Sequence, residues 1–485
     1  MNDKRLHQAH LLNARGDSAA AARLLTQILR KEPSNVPALI ALAEIEITAE
    51  HYETARERLQ KALRIRRNDT HALTALARAC WLSGDLTQAL DHTRRCAELE
   101  PQNPRHRLLL SQLLHRTGDA EQARASLQAE LANHPHDRKL LCELHTELAR
   151  QLDSEARYQH AIAEYQTAIA LDPAWVDAQT GYALTLLRCG RYTQAWAAMQ
   201  TVRTARQSRL GLAWVPPEFF WDGRQNLNGQ VLLLVDDAGY GDAIQNFRYL
   251  KLLRAQGAKI LYRALQPLVP LFRRAAPYVT FIPRLENGTR FNFLCYTDSL
   301  PALFHTTVET IPNEIPYLAP DPALIEHWSE QLTPSTGLRI GLAWSGNPKN
   351  FYDHRRSIPA DVFLRLTEVP NATFYNLQLS TRPSDLPALQ QRPAIRPVGE
   401  KFKNFDDTAA VMAQLDLVIT ADTAVAHVAG ALGKPVWLVI GFIPEWRWLL
   451  DREDSPWYPT MRIFRSHAPG RWDDVIARVH SALVT

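Results

Sequence analysis

The segment Leu417–Gly441, LVITADTAVAHVAGALGKPVWLVIG, decides the fold of the C-terminal part of the chain. Its two apolar runs, LVIT and PVWLVI, are typical of buried parallel strands, and the small residues between them favour a short helix. Strand, helix and strand in this order predict a parallel βαβ unit. The turn after the first strand of such a unit lies at the carboxyl edge of the sheet, where ligands bind in open α/β folds.

The turn of this unit predicts a phosphate site. Asp422 and Thr423 follow the first strand, and the backbone amides of Thr423, Ala424 and Val425 would be unpaired donors at a helix N-terminus. His427, one turn further along, can add a donor or a positive charge at the same end. The alternative is that Asp422 is an ordinary N-cap and His427 a packed core histidine.

The first two hundred residues repeat with a period of 34 residues. Each unit consists of a helix, a turn of Gly-Asp type, a second helix with an alanine at a fixed place, and a break that ends in proline. The alanines are Ala21, Ala55, Ala89 and Ala123. The pattern resembles tetratricopeptide repeats and predicts about six units in an array over residues 1–205. The phase slips by four residues before Ala161, which predicts a longer turn between the helices of the fifth unit.

A second α/β region lies between the repeats and the segment quoted first. The stretch WVPPEFFWDGRQNLNG is rich in proline and aromatic residues, so we predict a packed linker over residues 206–228. The following QVLLLVDDAGYGDAIQNF predicts a strand, a glycine turn and a helix. Successive α/β halves over residues 229–325 and 326–485 predict the GT-B architecture, two Rossmann-like halves that face each other across a cleft. A C-terminal helix over 473–484 could pack on either half.

The tetrapeptide Gly239-Tyr240-Gly241-Asp242 directly follows the first strand of this region. Gly239 and Gly241 permit a tight turn and the close approach of a ligand, so these two residues and Tyr240 are candidate contacts for an acceptor or a sugar. Asp242 falls at the start of the next helix and is our candidate general base, because a carboxylate can take the proton of an attacking hydroxyl. The alternative is a helix cap with no catalytic role.

A loop after the strand RIGLA carries further candidates. Trp344 opens the loop, Asn347 and Lys349 follow, and Arg356 comes a few residues later. Small residues followed by cations suit a leaving diphosphate, whose negative charge must be stabilised. A solvated basic loop is the alternative. We expect Trp344 to contact the sugar or acceptor, and the other three residues to contact the donor.

Two later positions complete the set of candidate ligand contacts. Gln378 ends the strand FYNLQ, at a place that favours contact with a nucleotide. Trp446 lies in the segment PEWRW beyond the segment quoted first, where an aromatic ring could stack on a base or a sugar. Aromatic residues in such positions are more often part of the core.

The composition excludes several classes of protein. A hydrophobic content of 46%, a charged content of 22% and a net charge of +4 are typical of a globular chain rather than a disordered or nucleic-acid-coating one. The cysteines form no metal-binding cluster, and the adjacent Asp236 and Asp237 would diverge on a strand, so we expect no metal and no cofactor. Since no signal peptide and no run of ~20 apolar residues is recognisable, we expect a cytoplasmic protein with no membrane span.

Together these motifs resemble the glycosyltransferase family 9 group, which includes the bacterial heptosyltransferases, and especially its relatives with an N-terminal tetratricopeptide array. The resemblance covers residues 215 to 470 approximately. It implies that Asp242 is the catalytic aspartate, and that Asp422, Thr423 and His427 contact the nucleotide sugar. The plan is also similar to that of the O-linked N-acetylglucosamine transferases. However, no asparagine recurs in the first helices, so a ladder for a peptide backbone is not expected.

The sequence therefore predicts a metal-independent glycosyltransferase that uses a nucleotide-sugar as co-substrate. The second half would be the nucleotide-sugar side and the first half the acceptor side. The repeat array suggests an acceptor on a protein that the repeats recruit. Two alternatives remain open: transfer to a lipid-linked or polysaccharide acceptor, and a non-catalytic adaptor that binds a nucleotide-sugar.

Overall fold

A computed structural model describes residues 2–134, 136–209, 215–286, 288–332, 337–348, 350 and 353–484. Lys349 and the 210–214 part of the predicted linker lie outside the described residues. The chain divides into two compact units, Met1–Ala178 and Gln179–Thr485. The domain boundaries predicted at residues 205, 228 and 325 stay predictions.

The first unit consists of helices that pair with their chain neighbours across three-residue turns. They are α1 (Asn2–Ala14), α2 (Ser18–Lys31), α3 (Val36–Thr48), α4 (Tyr52–Ile65), α5 (Thr70–Leu82), α6 (Leu86–Leu99), α7 (Pro104–Arg116), α8 (Ala120–Asn133), α9 (Arg138–Ser154) and α10 (Tyr158–Leu171). A further pair, α11 (Val176–Arg188) and α12 (Tyr192–Arg209), begins in this unit and continues into the second. The described residues thus contain the predicted helical repeat array.

The turns within the pairs explain the recurring Gly-Asp. The glycine ends the first helix in the left-handed region, with a φ of 88° at Gly16, where a side chain would be unfavourable. The aspartate then caps the second helix: Asp17 accepts a hydrogen bond from the amide of Ala20 at 2.9 Å. Glu50 and Ala156 occupy the same place in the second and fifth pairs and also have positive φ, 64° and 61°.

The phase slip of the repeats lies in a helix, so the prediction of a longer turn is wrong. Helix α9 has 17 residues, whereas α7 has 13. Its turn to α10 keeps three residues, 155–157, as in the other pairs. Four added residues make about one further helical turn. Counting the period could not distinguish a longer helix from a longer turn, because both move Ala161 by the same amount.

The second unit contains two parallel sheets. Their strands are β1 (Val231–Val235), β2 (Lys259–Arg263), β3 (Thr280–Phe281), β4 (Phe293–Tyr296), β5 (Leu338–Ala343), β6 (Ala372–Asn376), β7 (Arg396–Pro397), β8 (Leu417–Ala421), β9 (Val436–Ile440) and β10 (Met461–Arg465). The first sheet has the order β3-β2-β1-β4 and the second the order β10-β9-β8-β5-β6-β7. These sheets confirm the predicted α/β region, which is consistent with a GT-B glycosyltransferase.

Helices connect these strands and cover the sheets. They are α13 (Tyr240–Asn246), α14 (Leu250–Ala255), α15 (Val269–Ala275), α16 (Leu300–Leu303), α17 (Pro322–Ser329), α18 (Asp353–Arg356), α19 (Ala360–Phe363), α20 (Leu386–Gln390), α21 (Phe405–Ala413), α22 (Ala424–Ala431) and α23 (Trp472–Val484). Among the described residues, no helix combines the length and the apolar character that crossing a membrane requires.

Helix α23 packs on the six-stranded sheet. Val475 and Val479 have no exposed surface and share a core with Ile340 of β5 and Phe363 of α19. The C-terminal helix, for which the sequence left both halves open, therefore belongs to the second half. It covers one face of this sheet, and the turn between β8 and α22 lies at the carboxyl edge of the same sheet.

Candidate functional site

The two predicted motifs of the α/β region are in contact. Gly241 lies in α13, which follows β1, and His427 lies in α22, which follows β8. A Cβ added to Gly241 would lie 2.7 Å from Cδ2 and 3.1 Å from Nε2 of His427. Only glycine fits this approach, so the neighbouring helix itself requires the glycine of the turn. The turns after β1 and β8 thus form one site, to which each sheet contributes an edge.

Asp242 is held from two sides. Its Oδ2 accepts a hydrogen bond from the amide of Gly239 at 2.8 Å, which closes the first turn of α13. Its Oδ1 forms an ion pair with Arg447 of the second half. The side chain is 30% exposed, so a ligand can reach it. Asp242 is therefore a helix-capping carboxylate that also faces the site, and its role as a base stays a prediction.

Arg447 is the central residue that the sequence analysis missed. It is buried, and its guanidinium lies 4.8 Å from the centre of the Trp446 ring. Its Nη1 pairs with Oε2 of Glu445 at 2.7 Å. Burial opposes the charge of Arg447, but the carboxylates of Glu445, Asp242 and Asp422 outweigh it and raise the pKa of the guanidinium above its usual value. Arg447 is therefore a permanent cation at the centre of three acids.

The three acids give the site its chemical character. Burial raises the pKa of Asp422, against the charges of Arg447 and Arg356. Desolvation also raises the pKa of Glu445, against the charge of Arg447. Clustered carboxylates repel a phosphate but accept hydrogen bonds from hydroxyl groups. This part of the site therefore suits a sugar or an alcohol better than an anion.

The helix N-terminus that was predicted to hold phosphate starts at Thr423. This residue is the N-cap of α22, and its Oγ1 accepts from the amide of Val425 at 3.3 Å. Val425 is thus not a free donor, and Asp422 is not the N-cap. In the part of the chain that the structure describes, the amides of Thr423 and Ala424 have no hydrogen-bond partner, and both residues are partly exposed. Two amides rather than three remain available to an anion.

His427 is buried and carries no charge near neutral pH. Its Nδ1 lies 2.8 Å from the hydroxyl of Tyr458. Burial, together with the charges of nearby arginines, holds the pKa of His427 well below 6.5. Of the two roles predicted for this residue, a donor or a positive charge, the lowered pKa disfavours the charge, and the buried ring packs as a core histidine. A hydrogen bond from His427 to the donor stays a prediction.

The loop after β5 is held in place by hydrogen bonds to residues that follow it in the chain. Ser357 accepts from the amide of Gly346 at 3.1 Å and donates to Asp353 at 2.7 Å. Nη2 of Arg382 donates to the same carboxylate and to the carbonyl of Gly346, both at 2.7 Å. A Cβ on Gly346 would lie 3.0 Å from Nη2 of Arg356, whose side chain is 29% exposed. The loop thus keeps Arg356, a predicted phosphate ligand, accessible and in place.

Three residues predicted to contact ligands have other partners. Trp344 has no exposed surface, and its Nε1 donates to Asp385 at 2.9 Å. The side-chain oxygen of the buried Gln378 accepts from the amides of Trp344 and Ser345 at 2.9 and 2.7 Å. Trp446 packs edge to face with three other aromatic rings. In this structure all three side chains have partners within the protein, and contact with a ligand stays a prediction for each.

Three predicted contacts remain open to a ligand. Tyr240 is 40% exposed, and its ring centre lies 5.0 Å from that of Phe405. Asn347 is exposed in the loop after β5, as is Gly239 in the turn after β1. Lys349 lies outside the described residues. Contact of these residues with a donor or an acceptor stays a prediction.

Family comparisons match the helical repeats and part of the α/β region to two different families. The tetratricopeptide repeat family matches residues 12–79 and 81–141. Glycosyltransferase family 9 (heptosyltransferase) matches residues 403–468. The chain carries tetratricopeptide repeats and a family 9 glycosyltransferase region. The family 9 region includes Asp422, His427, Glu445 and Arg447, and Asp242 lies outside it.

Individual relatives match parts of the chain. Protein FlbA of Caulobacter vibrioides is 30% identical over 329 residues, which cover 63% of this chain and 54% of that protein. Cellulose synthase 2 operon protein C of Komagataeibacter xylinus is 30% identical over 129 residues, 27% of this chain and 9% of that protein. The chain therefore spans about half the length of FlbA and far less of the second relative. The solved repeat protein TTC0263 of Thermus thermophilus is 23% identical, with a TM-score of 0.34, and covers 39% of this chain and 100% of its own.

Asp236, which precedes the glycine turn, has a structural role. Oδ1 of Asp236 accepts from the hydroxyls of Tyr262 and Thr297 at 2.7 and 2.8 Å, and so joins the ends of three neighbouring strands. Neither the family 9 region nor the rest of the described chain contains a group of three or more His, Cys, Asp or Glu side chains that could hold a metal ion.

Proposed function

We propose that the protein is a glycosyltransferase that moves a sugar from a nucleotide-sugar to an acceptor hydroxyl without a metal ion. One observation carries the proposal: Asp242 at the edge of the first sheet pairs with Arg447 of the family 9 region. The buried Asp422 and the open N-terminus of α22 belong to the same site. A candidate base, a sugar-binding carboxylate and an anion site thus lie together, as transfer of a sugar requires.

The diphosphate of the donor would bind at the N-terminus of α22. The amides of Thr423 and Ala424 and the guanidinium of Arg356 supply hydrogen bonds, and the helix dipole adds positive potential. These groups would stabilise the negative charge that develops on the leaving diphosphate, the task that a metal ion performs in other transferases. Asp422, buried one residue before the N-cap, would accept hydrogen bonds from the sugar.

Asp242 would take the proton of the acceptor hydroxyl. A general base must lie within hydrogen-bond reach of that proton, which fits the 30% exposed side chain of this residue. Each carboxylate oxygen has two lone pairs. The bonds to Gly239 and Arg447 therefore leave acceptor capacity on both oxygens while they fix the direction of the carboxylate.

The repeat array supports an acceptor on a protein. Arrays of this kind present an extended surface, since each repeat contacts only its neighbours, and such surfaces commonly bind peptides. Recruitment by the array would raise the local concentration of the acceptor at the site. We therefore propose that the sugar is transferred to a protein that the repeats bind.

The donor site is tested by thermal unfolding of the full chain with UDP, GDP, ADP, CDP and dTDP. A ligand at 100 times its Kd stabilises the native state by about 2.7 kcal/mol, so one of these nucleotides is expected to raise the Tm. The shift should persist in Asp242→Asn and require about tenfold more nucleotide in Arg356→Ala. Arg365→Ala is the matched control, because that guanidinium forms a surface ion pair with Asp473. If no nucleotide raises the Tm, the donor site is contradicted.

The transfer step is tested with sugar conjugates of the nucleotide so identified. Asp242→Asn should lower kcat by a factor of roughly 10³, the size expected for loss of a general base. EDTA should leave the rate unchanged, and loss of the rate in EDTA would contradict the absence of a metal. A radiolabelled sugar should enter protein. Label in polysaccharide or lipid but not in protein would contradict the proposed acceptor.

A further inference from the structure

The last helix pair of the array packs on the segment that carries Arg447. Nε of Arg188, at the end of α11, donates to the carbonyl of Pro444 at 2.8 Å. Nε1 of Trp196, in α12, donates to the carbonyl of Thr306 at 2.6 Å. From Gln179 onward this pair belongs to the same compact unit as the two sheets. The pair is therefore both the end of the array and a part of the α/β unit.

An aromatic cluster connects α12 with the guanidinium. The ring of Tyr192 lies 5.5 Å from that of Trp196 and 5.9 Å from that of Trp446, and the two tryptophan rings are 6.1 Å apart. Tyr192 is 1% exposed, so the cluster is packed and not a surface contact. The guanidinium of Arg447 lies on the Trp446 ring at 4.8 Å. Its position therefore depends on side chains of the last repeat.

We propose that Arg447 positions Asp242 for proton transfer and that α12, through Tyr192, Trp196 and Trp446, holds Arg447 in place. The proposal rests on the proposed function, in which Asp242 is the base. It assigns the last repeat to the support of the catalytic site, a task separate from recruiting an acceptor. Removal of Arg447, or of the α12 side chains that hold it, would leave the donor bound but the carboxylate of Asp242 misdirected.

The contacts of Arg447 favour a positioning role over a purely stabilising one. Asp242 and Arg447 come from different halves, so their ion pair fixes a base on one half relative to a donor site on the other. A base displaced by about 1 Å can lose a hundredfold in rate.

Kinetics of the full chain test the first part of the proposal. Release of the nucleotide that the thermal-shift titration identifies is measured from its sugar conjugates, with water as the acceptor. Arg447→Ala should lower kcat about 100-fold and change the KM for the donor less than threefold. Arg447→Lys should lower kcat about tenfold, because lysine supplies the charge without the fork of donors.

A double-mutant cycle distinguishes positioning from an independent role. In the background of Asp242→Asn, Arg447→Ala should cause less than a twofold further loss, because Arg447 acts through Asp242. If the loss of kcat in the double variant equals the product of the losses in the two single variants, the proposal is overturned. A kcat within twofold of wild type in Arg447→Ala would also overturn it. Wild-type kcat in Asp242→Asn alone is a different result, which would reject the base of the proposed function.

Substitutions in α12 test the second part. Trp196→Ala should lower kcat about tenfold with the nucleotide-induced rise in Tm unchanged, and Trp196→Phe should restore kcat to within twofold, because a ring still packs on Trp446. The matched control is Trp81→Ala in α5, whose ring lies 5.8 Å from the guanidinium of Arg116. With water as the acceptor, this control should keep the wild-type kcat. Equal kcat values in the two alanine variants, or no recovery in Trp196→Phe, would overturn the role of α12.

Discussion

Glycine is favoured in the turns of the repeat array and required in the candidate site, for different reasons. Gly84, in an array turn, has a φ of 89°, and a Cβ there would meet no atom within 4 Å. Gly241 lies in a helix, yet a Cβ there would lie 2.7 Å from His427. The array needs the freedom of the backbone, whereas the site needs the absence of a side chain. The array therefore accepts Glu50 and Ala156 at glycine positions, and the site has no room for any substitution.

The strongest test of this contrast is Gly241→Ala. The added methyl group would force α13 and α22 apart, since the ring of His427 is buried and cannot move aside. Overpacking of this kind costs about 1–3 kcal/mol in the free energy of unfolding, and the displaced Asp242 should lower kcat about 100-fold. Urea unfolding and nucleotide release measure the two effects. Gly118→Ala in an array turn is the matched control, which should keep the wild-type kcat. A Gly241→Ala protein with normal stability and rate would contradict the contrast.

A smaller effect is expected in the pH dependence of stability. Because the folded state lowers the pKa of His427 well below 6.5, the folded state binds fewer protons than the unfolded state as the pH falls. The contribution of the neutral His427 to the free energy of unfolding is fully present above pH 6.5. Below pH 6.5 the free energy of unfolding falls by about 1.4 kcal/mol for each pH unit, until the folded pKa is reached. Urea unfolding between pH 7.5 and 5 should show a flatter dependence in His427→Asn.

The exposed His10 of α1 provides the control for this measurement. His10→Asn should leave the pH dependence of the wild type unchanged. The comparison rests on the difference in slope between the two variants, so a uniform loss of stability in His427→Asn does not affect it. Equal slopes in both variants would show that burial of His427 adds nothing to the acid sensitivity of the fold.

The smallest effect is expected in the array, where the substitutions to glycine should increase the free energy of unfolding rather than decrease it. Glu50→Gly and Ala156→Gly replace residues at φ of 64° and 61° by the residue that this conformation favours. Relief of the left-handed strain outweighs the entropy of glycine, so each variant should gain roughly 0.5–1 kcal/mol in the free energy of unfolding. Gly84→Ala should lose a similar amount. Thermal and urea unfolding of the full chain test both, and a loss in Glu50→Gly would contradict the assignment of strain to this turn.

Local patterns were sufficient for the fold and for part of the site. The apolar runs, the turn after each strand and the period of the repeats are all contained within a few dozen residues. Each motif was placed at the carboxyl edge of its own sheet, and the predicted cleft between the two halves is why Asp242 could be placed near Asp422 and Thr423 before their contacts were known. The same argument identified Gly241, although the reason it must be glycine appears only in the neighbouring helix.

The rest of the site depends on contacts that local patterns do not contain. The partner of Arg447 is Asp242, more than two hundred residues earlier in the chain, and the PEWRW segment has no periodicity to reveal it. A position at the end of a strand does not determine which way a side chain points. The hydrogen bonds of Trp344 to Asp385 and of Gln378 to the loop after β5 therefore could not be predicted from their places in the sequence.

The extra turn of α9 has a consequence for how the array can change its length. A helix rotates by about 100° per residue, so four added residues rotate it by about 400°, only ~40° past a full revolution. Helix α10 therefore leaves α9 in nearly its former direction, about 6 Å further along the axis. Two added residues would instead rotate the exit by about 200° and turn the buried face outward. Insertions that add about a whole number of helical turns therefore preserve the orientation of every later helix in this solenoid, whereas insertions of a fraction of a turn do not.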